Sequence, residues 1–147
     1  MMHTSRTIRI VMADDDRDDQ LMMKRAFDKA GLSNPLEFVN DGEELMYYLR
    51  KAGSFESAEV PDLILLDLNM PRKNGWEALQ ELKADPELRR IPVIILTSSC
   101  SDYDLLRSYD LGANSYIAKP MDIDGLVGIV KALALYWFKT VHLPETL

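Results

Sequence analysis

Cysteine is nearly absent from this chain of 147 residues: Cys100 stands alone, so no disulfide can form within it. No basic residue adjoins Cys100 to lower its thiol pKa, and no redox role is assigned to it. Histidine is as scarce, with only His3 and His142, both far from the acidic clusters discussed below; a zinc site is excluded on that ground. Positive charge is also in deficit. Seventeen basic residues face 24 acidic ones, giving a net charge of −7 and a pI near 4.8. That balance argues against nucleic acid or anionic lipid as a partner and favours a protein or a small cation. Long apolar runs are missing too. The longest near the end, Leu126 to Phe138, covers 13 residues and is broken by Lys131, too short for a bilayer core of about 30 Å. The opening MMHTSRT lacks the apolar centre of a secretory signal, so the expected location is the cytoplasm.

What is present is enough for one core. The residues are 47% hydrophobic, and the length is that of a single ordinary domain that folds without staples. Strand-like and helix-like stretches alternate five times, which predicts an α/β fold: a doubly wound, five-stranded parallel (βα)5 sheet. Strands are expected at Thr7 to Ala13, Leu36 to Val39, Leu63 to Leu66, Val93 to Leu96 and Ser115 to Ala118. The first helix is expected from Arg17 to Ala30, stopped by a left-handed Gly31. The second opens at Asp41, with Glu44 completing a capping box, and runs to Lys51. Others are expected at Trp76 to Ala84, Tyr103 to Leu111 and Asp124 to Phe138. No repeat or low-complexity tract appears, and Gly53 to Asp62 is the longest loop. The expected organisation is a tail over residues 1–6, a domain over 7–138, and an extension over 139–147 with no room for an output domain.

The stretch LILLDLNMPRKNG, Leu63 to Gly75, drives four aliphatic residues straight into an aspartate. A buried strand ending in a carboxylate needs water or a partner there. In open α/β sheets ligands bind outside the carboxyl ends of the strands. The first strand ends at Asp14, Asp15 and Asp16, the third at Asp67, the fourth at Thr97, and the fifth at Lys119 followed by Pro120. Three carboxylates in one pocket call for a hard cation held by oxygen, and Mg2+ suits them. Beside such an ion Asp67 is placed to attack an electrophilic phosphoryl group, with Lys119 neutralising charge on it. Pro120 predicts a tight turn that aims Lys119, with a cis bond as one option.

ADDD after the first strand, LLDLNMPRKNG, VIILTSS and YIAKP, each at the end of a successive strand, together resemble the receiver domains of two-component response regulators. The resemblance implies a flavodoxin-like receiver fold and transfer of a phosphoryl group from a sensor histidine kinase to Asp67. It also implies Mg2+ bound by Asp14, Asp15, Asp67 and the backbone carbonyl of Asn69. Thr97 and Lys119 would read the phosphoryl group, and Tyr116 would follow as the aromatic switch on the surface made by the fourth helix, fifth strand and fifth helix. The pattern from ADDDRDDQLMMKRAF to the tail YWFKTVHLP is similar to that of single-domain regulators paired with bacterial phytochromes, so a phytochrome-type kinase is the implied partner.

Asn69 and Ser99, each two residues past a pocket residue, are expected to border the path of the water that hydrolyses the acyl phosphate. Three alternatives stand beside these readings. Asp14 to Asp16 would serve equally as a solvated cap on the first helix, Asp67 as a strand terminator and Tyr116 as ordinary packing. A phosphatase with an aspartyl nucleophile would need a second acid where Asn69 stands. A phosphorylation-independent binding module would need none of the pocket chemistry. Finally, Tyr136, Trp137 and Phe138 fall in succession, so one helix cannot bury all three. Folding back of the tail would cover them; the expectation is a homodimer on the fourth helix, fifth strand and fifth helix, with Trp137 or Phe138 near its centre.

Overall fold

A computed structural model describes residues 7–99 and 101–144; His3 and the rest of the N-terminal tail, Cys100 and the last three residues lie outside it. Five strands, β1 (Ile10–Ala13), β2 (Leu36–Val39), β3 (Leu63–Leu66), β4 (Val93–Thr97) and β5 (Ser115–Ala118), alternate with five helices. These are α1 (Arg17–Lys29), α2 (Gly42–Leu49), α3 (Gly75–Ala84), α4 (Asp102–Asp110) and α5 (Ile123–Leu133). The strands form one parallel sheet in the order β2-β1-β3-β4-β5. The order reverses at β1, which lies between β2 and β3, and so opens a crevice outside the ends of β1 and β3.

Strand alternation sorts the core into two layers. Val11, Ala13, Ile64, Leu66 and Ile95 meet α2 and α3 through Leu45, Met46, Leu79 and Leu82. Met12, Leu63, Leu65, Ile94 and Leu96 face the other way, against Met23 and Phe27 of α1 and Leu126, Val130 and Leu133 of α5. Each of the valine, leucine, isoleucine, methionine and phenylalanine side chains, fully buried, contributes about 1.5–3 kcal/mol of transfer free energy. Because β3 and β4 are covered on both faces, they read as unbroken apolar runs.

Local chemistry sets the helix ends. Asp16 caps α1 by accepting from the amides of Asp18 and Asp19, and Gly31 ends that segment at φ 73°. Asp41 accepts from Glu44 N to start α2, but the Glu44 carboxylate returns to Asn40 rather than to the cap residue, so the expected box is only half made. The helix stops at Leu49, short of the expected Lys51, which is itself left-handed at φ 56°. A complete reciprocal box instead opens α3, between Asn74 and Glu77. β1 starts at Ile10, not Thr7, because Arg9 N donates to the Asp62 carboxylate (2.9 Å) in place of a ladder carbonyl.

The last helix also departs from expectation. α5 ends at Leu133, and a wider π-type turn carries Ala134–Phe138. Leu135 and Tyr136 stay 65% and 53% exposed, while Trp137, Phe138 and, from the extension, Leu143 pack against the α1–α5 layer. The tail therefore covers two of the three aromatic rings in part and leaves Tyr136 outside, edge-on to Trp137 at 5.1 Å.

Candidate functional site

Backbone rungs run past the strand ends and place the polar residues. Asp14 N donates to Val39 O (3.0 Å), Asp67 N to Ala13 O (3.0 Å) and Lys119 N to Thr97 O (2.8 Å). Each residue is thus held as one more step of its strand, and the four carboxyl ends converge as expected. Carboxylate oxygens of Asp14, Asp15 and Asp67 lie within 4.8 Å of one another. Asp14 and Thr97 are fully buried and Asp67 is 7% exposed, whereas Asp15 is open to solvent. The Lys119–Pro120 bond is trans, contrary to the cis option. The rung to Thr97, rather than a cis turn, aims the lysine.

Lys119 Nζ donates to Asp14 Oδ2 at 2.7 Å, to Asp19 Oδ2 at 2.8 Å and to Asp67 Oδ2 at 3.2 Å. Burial alone would lower the pKa of this ammonium, but the bonds to Asp14 and Asp19 and the charges around it together push it above the ordinary lysine value. Burial raises the Asp14 carboxyl to about 6, against the opposing pull of Lys119 and of the amide of Asp16. One ammonium among four carboxylates leaves the pocket strongly negative. A hard dication would relieve that charge, and an all-oxygen donor set with an open, solvated side fits one.

The loop after β3 is pinned on both sides. Gly75 N donates to Leu68 O (3.0 Å), and a side chain at Gly75 would put its Cβ 2.3 Å from Asp67 O. Only glycine lets α3 start so close to Asp67. On the other side, Gly42 N donates to Lys73 O (2.8 Å), and Arg72, left-handed at φ 61°, sets its Nε 3.1 Å from the buried Asp41 carboxylate. Asn69 lies exposed on this loop, its amide 3.4 Å from Asp67 Oδ1.

The loop after β4 has its own ties. Ser99 Oγ donates to Asp104 Oδ2 at 2.5 Å, Ser99 N approaches Thr97 Oγ1 at 3.4 Å, and Tyr116 OH donates to Ser99 O at 2.9 Å. Tyr116 is half-buried against the α2–α3 layer, so its hydroxyl and its ring report on different neighbours. Arg107 of α4 lies over the ring of Trp76 at 4.6 Å, joining α4 to the start of α3.

Sequence reasoning brought Asp14, Asp15, Asp67, Asn69, Thr97, Ser99, Tyr116, Lys119 and Pro120 to one end of the sheet. It missed Asp19. A signal existed: Asp19 is in the first turn of α1, and helical side chains lean toward the N-terminus, here over the strand ends. Tyr136, Trp137 and Phe138 belong to a separate region at the end of α5.

The model of the response regulator receiver domain matches residues 10–131. The chain belongs to this family. Response regulator Rcp1 of Synechocystis sp. is 36% identical over 135 residues, which are 92% of each chain. The probable methanogenesis regulatory protein FilR2 of Methanothrix harundinacea is 36% identical over 129 residues, 87% of this chain and 82% of that one. Among solved structures, the phosphorylated cyanobacterial phytochrome response regulator RcpA superposes with a TM-score of 0.89 at 40% identity, over 95% of this receiver and all of RcpA. The Mn2+-bound form of Rcp1 gives 0.85 at 35% identity, covering 94% and 99% of the two chains. Receivers of this family bind divalent metal and are phosphorylated by histidine kinases, and the acidic trio is the matching feature here. Among the described residues, no helix is long and apolar enough to cross a membrane.

Proposed function

We propose that this receiver accepts a phosphoryl group onto Asp67 from a phosphohistidine of a sensor kinase of the phytochrome type, in the cytoplasm, and signals through the face of α4, β5 and α5. The observation that carries this reading is the convergence of Asp14, Asp15 and Asp67 within 4.8 Å, with Lys119 bonded to two of them. The likeness to the cyanobacterial phytochrome response regulator RcpA supports the kinase class. Asp14, Asp15, Asp67 and the Asn69 carbonyl would hold Mg2+. The chemistry that ion would supply is neutralisation of the negative charge that gathers in the pocket during the transfer.

The chain's own residues do the rest. An Asp67 carboxylate oxygen forms the new O–P bond as the P–N bond to imidazole breaks, the electron pair leaving with the ring nitrogen. Lys119, already 3.2 Å from Asp67 Oδ2, turns one donor to a phosphoryl oxygen. The buried Thr97 offers its hydroxyl to another. Movement of Thr97 draws on the Ser99 amide, and through Ser99 O on Tyr116 and through Ser99 Oγ on Asp104 of α4. Phosphorylation thereby biases an equilibrium between two packings of the β4–α4 loop. Asn69 and Ser99 flank the approach of the hydrolysing water, so the protein removes its own phosphoryl group at a rate they set and turns over no external substrate. An aspartyl phosphatase lacks support, because Asn69 offers no acid for a leaving group.

The same face suits self-association. Leu106 and Tyr103 of α4 are 64% and 68% exposed, and Leu135 and Tyr136, just past the end of α5, are exposed as well. Trp137 and Phe138, half-buried against the core, support the edge of this homodimer surface and Tyr136 presents it. Sedimentation of the wild type and of Leu135→Glu with Tyr136→Glu, before and after phosphorylation, tests this; a monomer at high concentration in both states would rule it out.

Intact-mass measurement with Mg2+ and a small phosphodonor tests the main reading. The wild type gains one phosphoryl group and Asp67→Asn gains none. Equal labelling of Asp67→Asn would sink the acceptor assignment. Lys119→Ala should phosphorylate poorly while binding Mg2+ as well as or better than the wild type, because a competing cation has left.

A further inference from the structure

Lys119 has more partners than reading a phosphoryl group requires. An ammonium has three donor hydrogens, and Asp14, Asp19 and Asp67 occupy all three at 2.7, 2.8 and 3.2 Å. Two of those carboxylates belong to the trio suited to a dication; Asp19 does not. A dication among Asp14, Asp15 and Asp67 and an ammonium bonded to two of the same carboxylates would repel each other at close range. Of its three partners only Asp19 lies outside that trio, so Asp19 is the one Lys119 would keep if it gave up Asp14 and Asp67.

Asp19 is built to keep that contact. Its side chain is 31% exposed, against 0% for Asp14 and 8% for Asp67, so water reaches it at the rim of the pocket. It sits in the first turn of α1, where a negative charge is favoured, and its own amide donates to the capping Asp16 carboxylate. The turn that presents it is therefore fixed from its start.

We propose that Asp19 is a positioning residue that receives Lys119 when the divalent cation binds, holding the ammonium at the rim of the pocket within reach of a phosphoryl group on Asp67. This rests on the metal and acceptor assignments made above for the same pocket. Asp19 makes no contact with the cation and acts through Lys119. A structural ion pair would instead affect folding and leave metal affinity alone, apart from the general effect of one charge.

Calorimetric titration of Mg2+ into metal-free wild type, Asp19→Asn, Lys119→Ala and the double variant separates these roles. Asp19→Asn should weaken Mg2+ by roughly ten-fold, but by only about two- to three-fold in the Lys119→Ala background, where the loss of one nearby negative charge is all that remains. Asp19→Glu should recover most of the affinity, since it restores the carboxylate. Equal weakening in both backgrounds would overturn the proposal, as it would show a field effect that bypasses Lys119; so would an unchanged affinity in Asp19→Asn. A wild type that binds no Mg2+ would remove the metal assignment itself, an outcome distinct from either.

Discussion

Replacing Gly75 by alanine adds one methyl group at the tightest point behind the acceptor. The new Cβ would stand 2.3 Å from Asp67 O, 2.7 Å from Leu68 Cα and 3.0 Å from Asp67 C. Carbon contacts are comfortable at about 3.5 Å, so α3 or the Asp67–Leu68 backbone has to yield by about 1 Å. The obstacle is backbone, not a flexible side chain, which places the change at the upper end of the roughly 1–3 kcal/mol seen for overpacking. Stretching the Gly75 N to Leu68 O bond removes up to about 1 kcal/mol more. Alanine's better helix propensity returns at most about 1 kcal/mol. The expected net loss is about 2–3 kcal/mol, read as a lowered urea midpoint with an unchanged slope. Gly128→Ala is the internal control: an exposed glycine within α5, with nothing within 4 Å of the added Cβ, should stabilise by about 0.5–1 kcal/mol. A loss below about 0.5 kcal/mol in Gly75→Ala, with the control behaving as stated, would refute the close-approach argument.

Further expectations concern charge and the α3–α4 junction. Asp14 has a folded pKa of about 6 against an ordinary 3.8, so the folded metal-free protein retains a proton that the unfolded chain releases between those values. Its contribution to stability is fully present below pH 3.8 and lost as the pH rises through 6; relative to Asp14→Asn, wild type should lose on the order of 3 kcal/mol between pH 4 and 7 in denaturant titrations, and parallel curves would contradict this. Proton competition at the same carboxyl should weaken divalent-cation binding as the pH falls through 6, measurable by calorimetry. Asp41→Ala removes the cap of α2 and leaves Arg72 without its buried partner, and a loss of about 1–2 kcal/mol is expected by thermal unfolding. Arg107→Ala should change Trp76 fluorescence while lowering stability by no more than about 1 kcal/mol, because an exposed cation–π pair contributes that much at most.

Much of this receiver was legible along the chain because its signals are local. A strand covered on both faces has to be apolar throughout, so LILL and VIIL announced β3 and β4, and a parallel sheet has to put its polar chemistry where those runs end. Asp14, Asp67, Thr97 and Lys119 each sit within one or two residues of such an end, and their convergence followed from topology alone. Helix ends were readable where one residue decides them, as at Gly31, and misread where two neighbours compete. The Glu44 carboxylate went to Asn40, while the box that did form lay unremarked at Asn74 and Glu77.

Tertiary structure alone decided the contacts between residues far apart in sequence. Asp19 meets Lys119 across 100 residues, and nothing in DDDRDDQ separates it from the solvated acids beside it until α1 packs against α5 and its first turn reaches the residue after β5. Arg107 of α4 finds Trp76 of α3, and Asp41 at the cap of α2 finds Arg72 on the loop before α3, because packing on the sheet brings separate elements together. The tail shows the same division. Three successive aromatics guaranteed from helix geometry that one would be left outside, but only the packing of α5 on α1 and the π-type turn after Leu133 determined that it is Tyr136. Periodicity determines which residues can be buried together; which residues meet is a property of the whole assembled fold.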